Sequence, residues 1–335
     1  MRECRGRAPA RAALAGNPSD GYGGAVLAVA VEAFAAEATV VGTATDRMDA
    51  QSGEMGLAME PAMELAMELA DPTIARTGET ELVDATVART GETELVDATV
   101  ARFCSEFLPA LDPAVIPVVW NTTIPRSVGL GGSSAIVLAV LRALSDFHAV
   151  TLTPDRLAEL ALSIEVDDLG IAAGMQDRIA QSYGGVTFMD CGEAPRYERL
   201  DGVSLPPLLV AWREDAAEAS GVVHGDLRER HLRGEAIVLE SMAELAALAR
   251  RARGAVLAGD RAELARCADA SFDARARMLQ LNQRHVEMIE VARRHGAGAN
   301  YTGSGGAVIC VCEGERHRDA VALALGSADC STLPI

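Results

Sequence analysis

The chain has 335 residues, 49% of them hydrophobic, and a formal net charge of −18. This is enough apolar material for two packed domains, or for one unusually large one, and it argues against global disorder. The acidic balance argues against a nucleic-acid surface, which needs cations to neutralise phosphates, and no apolar run approaches the ~18 residues of a membrane span.

Residues 7–43 read as strand, loop, strand: a Gly/Pro-rich loop from Gly16 to Gly24, with apolar β-branched runs such as Ala25–Val31 and Ala38–Val41. The interval 45–100 is unusual. Met-Glu-Leu-Ala recurs at 63–66 and 67–70, and the 13-mer ARTGETELVDATV occurs at 75–87 and again unchanged at 88–100. Two copies are too few for a solenoid, so a surface insertion carrying a tandem duplication is the expectation. Val115–Trp120 reads as a strand, Pro125–Ser134 as a Gly-rich loop, and Ala135–Leu144 as an apolar helix. Helices follow at about 155–166 and 174–183, then a strand at Val186–Met189. Pro195 to Pro207 reads as a linker, which divides the chain into domains at 1–194 and 195–335. Beyond it come a strand at Leu208–Trp212 and helices at about 235–258, 261–279 and 283–295. A Gly-rich loop and a last apolar strand, Ala307–Cys312, complete an α+β pattern.

Lysine is absent, so any phosphate or carboxylate clamp must use arginine, backbone N–H groups or a metal. The seven cysteines form no CxxC pair and read as free thiols, with Cys310 and Cys312 on one face of a strand. The six histidines show no metal-ligand spacing, and His224 and Arg228 fall in a polar stretch that reads as a loop. The first residues carry no apolar leader, so a cytoplasmic location is expected.

The strongest local signal is Pro125-Arg-Ser-Val-Gly-Leu-Gly-Gly-Ser-Ser-Ala135 running directly into a helix. Glycines let a backbone approach oxyanions, and a helix N-terminus offers free N–H groups and partial positive charge. A structural loop capped by Ser133 or Ser134 explains the same residues. A Walker A loop is excluded because it needs a lysine, and none of the glycine clusters completes GxGxxG. A second Gly-rich segment spans Gly296–Ala307, and a third runs from Ala8 through Arg11 to Gly24.

Taken in order, these three segments resemble the three motifs of the GHMP kinases, the family of galactokinase and of homoserine, mevalonate and phosphomevalonate kinases. The resemblance implies the two-domain GHMP fold: a ribosomal protein S5 domain 2-like N-terminal domain and a ferredoxin-like C-terminal domain. It implies Mg2+-ATP as phosphate donor, held by Pro125, Gly129, Leu130, Gly131, Gly132, Ser133, Ser134 and Ala135. The family also needs two carboxylates between its second and third motifs. Asp177, in Gly174-Met-Gln-Asp-Arg178, matches the base that activates the substrate hydroxyl, with Arg11 as a second catalytic residue. Ser133 and Glu165 match the magnesium ligands, and Asp167 and Asp168 are rivals to Glu165.

Gly16-Asn-Pro-Ser-Asp20, Asn121–Arg126, Gly131–Ile136, Gly174–Arg178 and Tyr301–Ala307 are most similar to the branch of the family that phosphorylates glucuronate. This implies a sugar acid phosphorylated at its anomeric hydroxyl, contacted by Asn17, Asp20, Arg126, Arg178, Thr302, Gly303, Ser304 and Gly305. Arg11, Arg126 and Arg178 are each candidates for its carboxylate, since guanidinium suits a bidentate clamp. Galacturonate, galactose or a heptose are alternative acceptors, and a non-catalytic ligand sensor is an alternative of another class. A monomer or homodimer, with no nucleic-acid or membrane partner, is expected.

Overall fold

The computed structural model describes residues 2–42, 90–213 and 220–335. Most of the duplicated interval therefore lies outside the described residues. Its last part, 90–100, opens helix α1 (Thr90–Phe107), with Leu95, Val96 and Val100 buried. The second copy of the repeat thus ends as a packed helix rather than as surface insertion.

Two compact units make up the chain. One comprises Met1–Ala8, Ala35–Thr123 and Ser133–Ile171; the other comprises Pro9–Phe34, Ile124–Gly132 and Ala172–Ile335. Strands β1 (Arg2–Ala15) and β2 (Ala25–Gly42) contribute residues to both. The C-terminal part of β2 pairs antiparallel with β3 (Val118–Thr122), from Ala36 opposite Thr122 to Val40 opposite Val118. Its N-terminal part pairs antiparallel with β4 (Val186–Asp190), Ala25 facing Asp190.

In the first unit, α2 (Gly132–His148) is apolar almost all round, and twelve of its residues are buried. A helix hydrophobic on every side must be enclosed. Phe103 of α1 is fully buried and meets the His148 ring at 6.0 Å. Helix α3 (Pro154–Ser163) begins at Thr153, whose side chain accepts the Arg156 N–H, and Pro154 suits the first helical position. A π turn, Ile164–Asp168, continues it.

In the second unit, β4 pairs with β5 (Arg196–Arg199), a strand within the segment expected to be linker. Arg-Tyr-Glu-Arg is an edge strand, three of its four side chains exposed, so charge hides its alternation. A four-stranded antiparallel sheet has the order β7-β8-β6-β9, from Gly298–Tyr301, Ala307–Val311, Leu208–Trp212 and Ser331–Pro334. It carries helices α7 (Arg261–Met278), α8 (Gln283–Arg294) and α9 (Glu315–Gly326). Cys310 and Cys312 lie in the same buried cluster as Tyr301 and Phe272, as their spacing predicts. Residues 220–232 form a helix, α5, where a loop was expected, so His224 and Arg228 stand on it; α6 spans Ala236–Ala258. The sequence reading also missed β7, α9 and β9.

Candidate active site

The three glycine-rich segments come together within the second unit. Arg11, on β1, is 4% exposed and organises them. Its Nε donates to Asp177 Oδ1 at 2.7 Å, and Nη1 donates to the carbonyls of Gly129 at 2.5 Å and Thr302 at 2.9 Å. Its Nη2 completes the ion pair with Asp177 at 2.6 Å. One guanidinium thus ties the first, second and third segments to the helix that carries Asp177.

That helix, α4 (Met175–Tyr183), starts after Gly174 and holds Asp177 in its first turn, where a carboxylate suits the helix dipole. One turn further on, Gln181 Nε2 donates to the Gly131 carbonyl at 2.7 Å. The glycine turn is therefore fixed from α4 as well as from β1. Thr302 Oγ1 adds a third bond, donating to Gly129 O at 2.9 Å. A β-carbon on Gly303 would fall 2.4 Å from that same oxygen and 2.8 Å from Arg11 Nη2, so no other residue fits there without displacement.

On the first segment, the Asn17 amide donates to the carbonyls of Tyr301 (3.2 Å) and Gly303 (3.4 Å). Asp20 Oδ2 accepts the Gln176 N–H at 3.2 Å. The Asp20 carboxyl titrates above the ordinary carboxylate range, chiefly because it is poorly solvated and then because the Asp177 carboxylate lies near; the Gln176 N–H and Arg11 act in the opposite direction. Arg178 is buried, donates to Gly174 O at 2.8 Å and stands 3.7 Å from Asp177 Oδ2. Arg126 is exposed and Pro125 half-buried; Ser304 and Gly305 sit in the turn between β7 and β8.

In the first unit, α2 begins at Gly132, which places Ser133 and Ser134 in its first turn rather than at its cap. Ser134 and Ala135 are buried, and Ser133 Oγ donates to Glu165 Oε1 at 2.8 Å. Glu165, on the π turn, is 0% exposed. Its two sequence rivals are placed differently: Asp168 is engaged by Arg102 of α1 through Nε at 2.8 Å and through Nη2, and Asp167 is exposed.

The sequence assigns no role to two buried polar residues near Asp20. Gln176 is 5% exposed with its Nε2 lacking a partner, and Arg275 of α7 is 2% exposed with its Nε lacking one. His285 is buried as well and packs edge-on to Tyr301. No helix among the described residues is long and apolar enough to cross a membrane.

Residues 94–185 match the GHMP kinases N terminal domain and residues 242–331 the GHMP kinases C terminal domain, together more than half of the chain. Glucuronokinase 1 of Arabidopsis thaliana is 40% identical over 222 residues, 63% of this chain and 61% of that protein. The chain thus matches less than two thirds of that relative's length. Among solved structures, the Methanococcus jannaschii mevalonate kinase superposes with a TM-score of 0.68 at 15% identity, covering 99% of this chain and 98% of that one. Lactococcus lactis galactokinase, solved with galactose, does so with a TM-score of 0.67 at 15% identity, covering 100% and 93%. At such identities these likenesses establish the fold, and it is the one the two matched domains define. The chain belongs to the GHMP kinase family.

Proposed function

We propose that the protein is an ATP-dependent kinase that phosphorylates D-glucuronate at its anomeric hydroxyl, giving glucuronate 1-phosphate and ADP. The observation that carries this reading is the Arg11 centre, where a glycine turn and a carboxylate are joined by one buried guanidinium. Phosphoryl transfer asks little covalent chemistry of a protein; it asks for positioning and for charge neutralisation. The turn, which runs to Gly132, offers backbone N–H groups to the phosphates. Asp177 takes the proton from the anomeric hydroxyl as its oxygen attacks the γ-phosphorus. The bond to the β-bridging oxygen then breaks, and ADP leaves. Arg11 orients Asp177 and supplies a cation. The resemblance of this chain to a glucuronokinase supports the choice of acceptor.

The donor set suits Mg2+. A magnesium ion in an ATP site uses one or two protein oxygens and takes the rest from phosphates and water. The Ser133 hydroxyl and the Glu165 carboxylate form such a pair, and among the described residues there is no larger cluster of His, Cys, Asp or Glu. Bound there, the ion would neutralise β- and γ-phosphate charge.

A coupled ADP-release assay over uronic acids and neutral sugars tests the reading, with the Asp177→Asn variant alongside. Turnover should be highest with D-glucuronate, and Asp177→Asn should lower kcat about 10²–10⁴-fold with ATP binding retained. Wild-type preference for a neutral sugar would replace the acceptor, and full turnover by the variant would remove Asp177 as base.

A further inference from the structure

A buried arginine without an ion-pair partner in contact is an unusual arrangement, because a charge taken out of water is costly unless paired. Arg275 is such a residue. It lies on the inward stripe of α7 with Leu264, Cys267, Ala268, Ser271 and Met278, all buried. Its Nη1 donates to the Asn17 carbonyl at 3.3 Å, and its Cζ stands 5.2 Å over the Tyr301 ring. Its Nε is buried and meets no acceptor. Among the described residues no carboxylate forms an ion pair with it, whereas Arg11 and Arg178 both face Asp177.

The three arginines that the sequence offers for a substrate carboxylate are poorly disposed for it. Arg11 is spent on Asp177 and two carbonyls, Arg178 is directed to Gly174 O beside Asp177, and Arg126 is exposed. Arg275, by contrast, is bonded to the segment Asn17–Asp20 and has an edge to spare. Burial, and after it the Arg11 guanidinium, lower its pKa to about 10 against the opposing pull of Tyr301 and Asp20, which leaves it protonated at neutral pH. An unpaired cation held in place is an anion site by its chemistry, and the Nε edge of a guanidinium is one of its two-pronged faces toward carboxylates.

We propose that Arg275 is the residue that recognises the carboxylate of the sugar acid, receiving it on the Nε edge while Asp20 faces the sugar hydroxyls. The assignment rests on the sugar-acid reading above.

The test compares kcat and KM for D-glucuronate and for its neutral amide, D-glucuronamide, in the wild type, Arg275→Gln and Arg275→Lys. Thermal shifts with each ligand give a readout independent of turnover. The wild type should prefer the acid by at least about 100-fold in kcat/KM, as expected of a site built around a fixed polar partner. Arg275→Gln should bring the two within about tenfold, through KM for the acid, with KM for ATP unchanged; Arg275→Lys should fall between. The acid alone should raise the wild-type Tm appreciably more than the amide does, and this difference should disappear in Arg275→Gln.

A folded Arg275→Gln or Arg275→Lys that keeps the wild-type preference overturns the assignment and leaves the kinase reading intact. Wild-type indifference between acid and amide does the same. A wild type that phosphorylates only neutral sugars sinks the sugar-acid reading and this inference together. If even Arg275→Lys cannot fold, Arg275 belongs to the scaffold and the proposal fails.

Discussion

Asp20 is held against its own preference. Its half-buried carboxyl is poorly solvated and sees the Asp177 carboxylate, so the folded chain binds a proton there more tightly than the unfolded chain does. A raised folded pKa contributes stability that is whole below the ordinary value of 3.8 and is lost as pH rises through the folded value. Replacing the acid by its amide should remove that loss. Asp20→Asn is accordingly expected to melt higher than the wild type at pH 8, with the gain shrinking to nothing near pH 4 and sugar turnover reduced throughout. Melting curves across that range check it; a variant that melts lower at pH 8 would show the charge to be compensated. Single residues also mark how far sequence reasoning reaches. Asp177 and Arg11 stand out in the sequence because their neighbours resemble a motif, but their hydrogen bond across 166 positions does not show there. The different surroundings of Glu165, Asp167 and Asp168 do not show in the sequence, because the arginine that engages Asp168 stands 66 positions away. Arg275 did leave a signal, since it falls on the apolar stripe of its helix whereas Arg277, two residues on, is exposed.

Elements were readable where hydrophobic period and punctuation agree, as in α2, α6 and β4. They were lost where tertiary contact replaced both. Strand β7 is Gly-Ala-Asn-Tyr, with no β-branched residue; Gly298 is there because α7 passes so close that a β-carbon would lie 2.4 Å from Ala265 O. Helix α5 is polar and shows little sidedness, so its composition resembles a loop. The glycine segments were visible as segments, but not the way they interlock. Gly303 makes that interlock testable. Gly303→Ala forces a methyl against Gly129 O and the Arg11 guanidinium, neither of which is free to retreat. Overpacking of this kind costs about 1–3 kcal/mol, and kcat/KM for ATP should fall about tenfold or more as the turn shifts. Gly254→Ala, in the middle of α6 with nothing within 4 Å of the new methyl, is the control. It should gain about 0.5–1 kcal/mol from helix propensity and leave activity alone. Equal effects from the two substitutions would mean that the turn is not locked as described.

At the scale of the whole molecule, an excess of 18 negative charges and the triphosphate of the proposed donor pull in opposite directions. A polyanion will not approach such a surface unless local donors outweigh the general field. On the proposed reading those donors are backbone N–H groups and whatever cation Ser133 and Glu165 would hold. Nucleotide binding should therefore depend on magnesium more steeply than the arginine count suggests, and it should register in global stability, since a ligand that binds only the folded state adds RT ln(1 + [L]/Kd). At about 100 times Kd this is about 2.7 kcal/mol, or a rise in Tm on the order of 5 °C for a chain of this size. ATP with Mg2+ should raise the wild-type melting temperature by that amount, and ATP with a chelator by far less. In Ser133→Ala and Glu165→Gln the magnesium-dependent part should vanish while the small metal-free part persists. A full magnesium effect in Glu165→Gln would move the cation to another carboxylate, and an equal shift with and without magnesium in the wild type would mean that the backbone meets the phosphate charge alone.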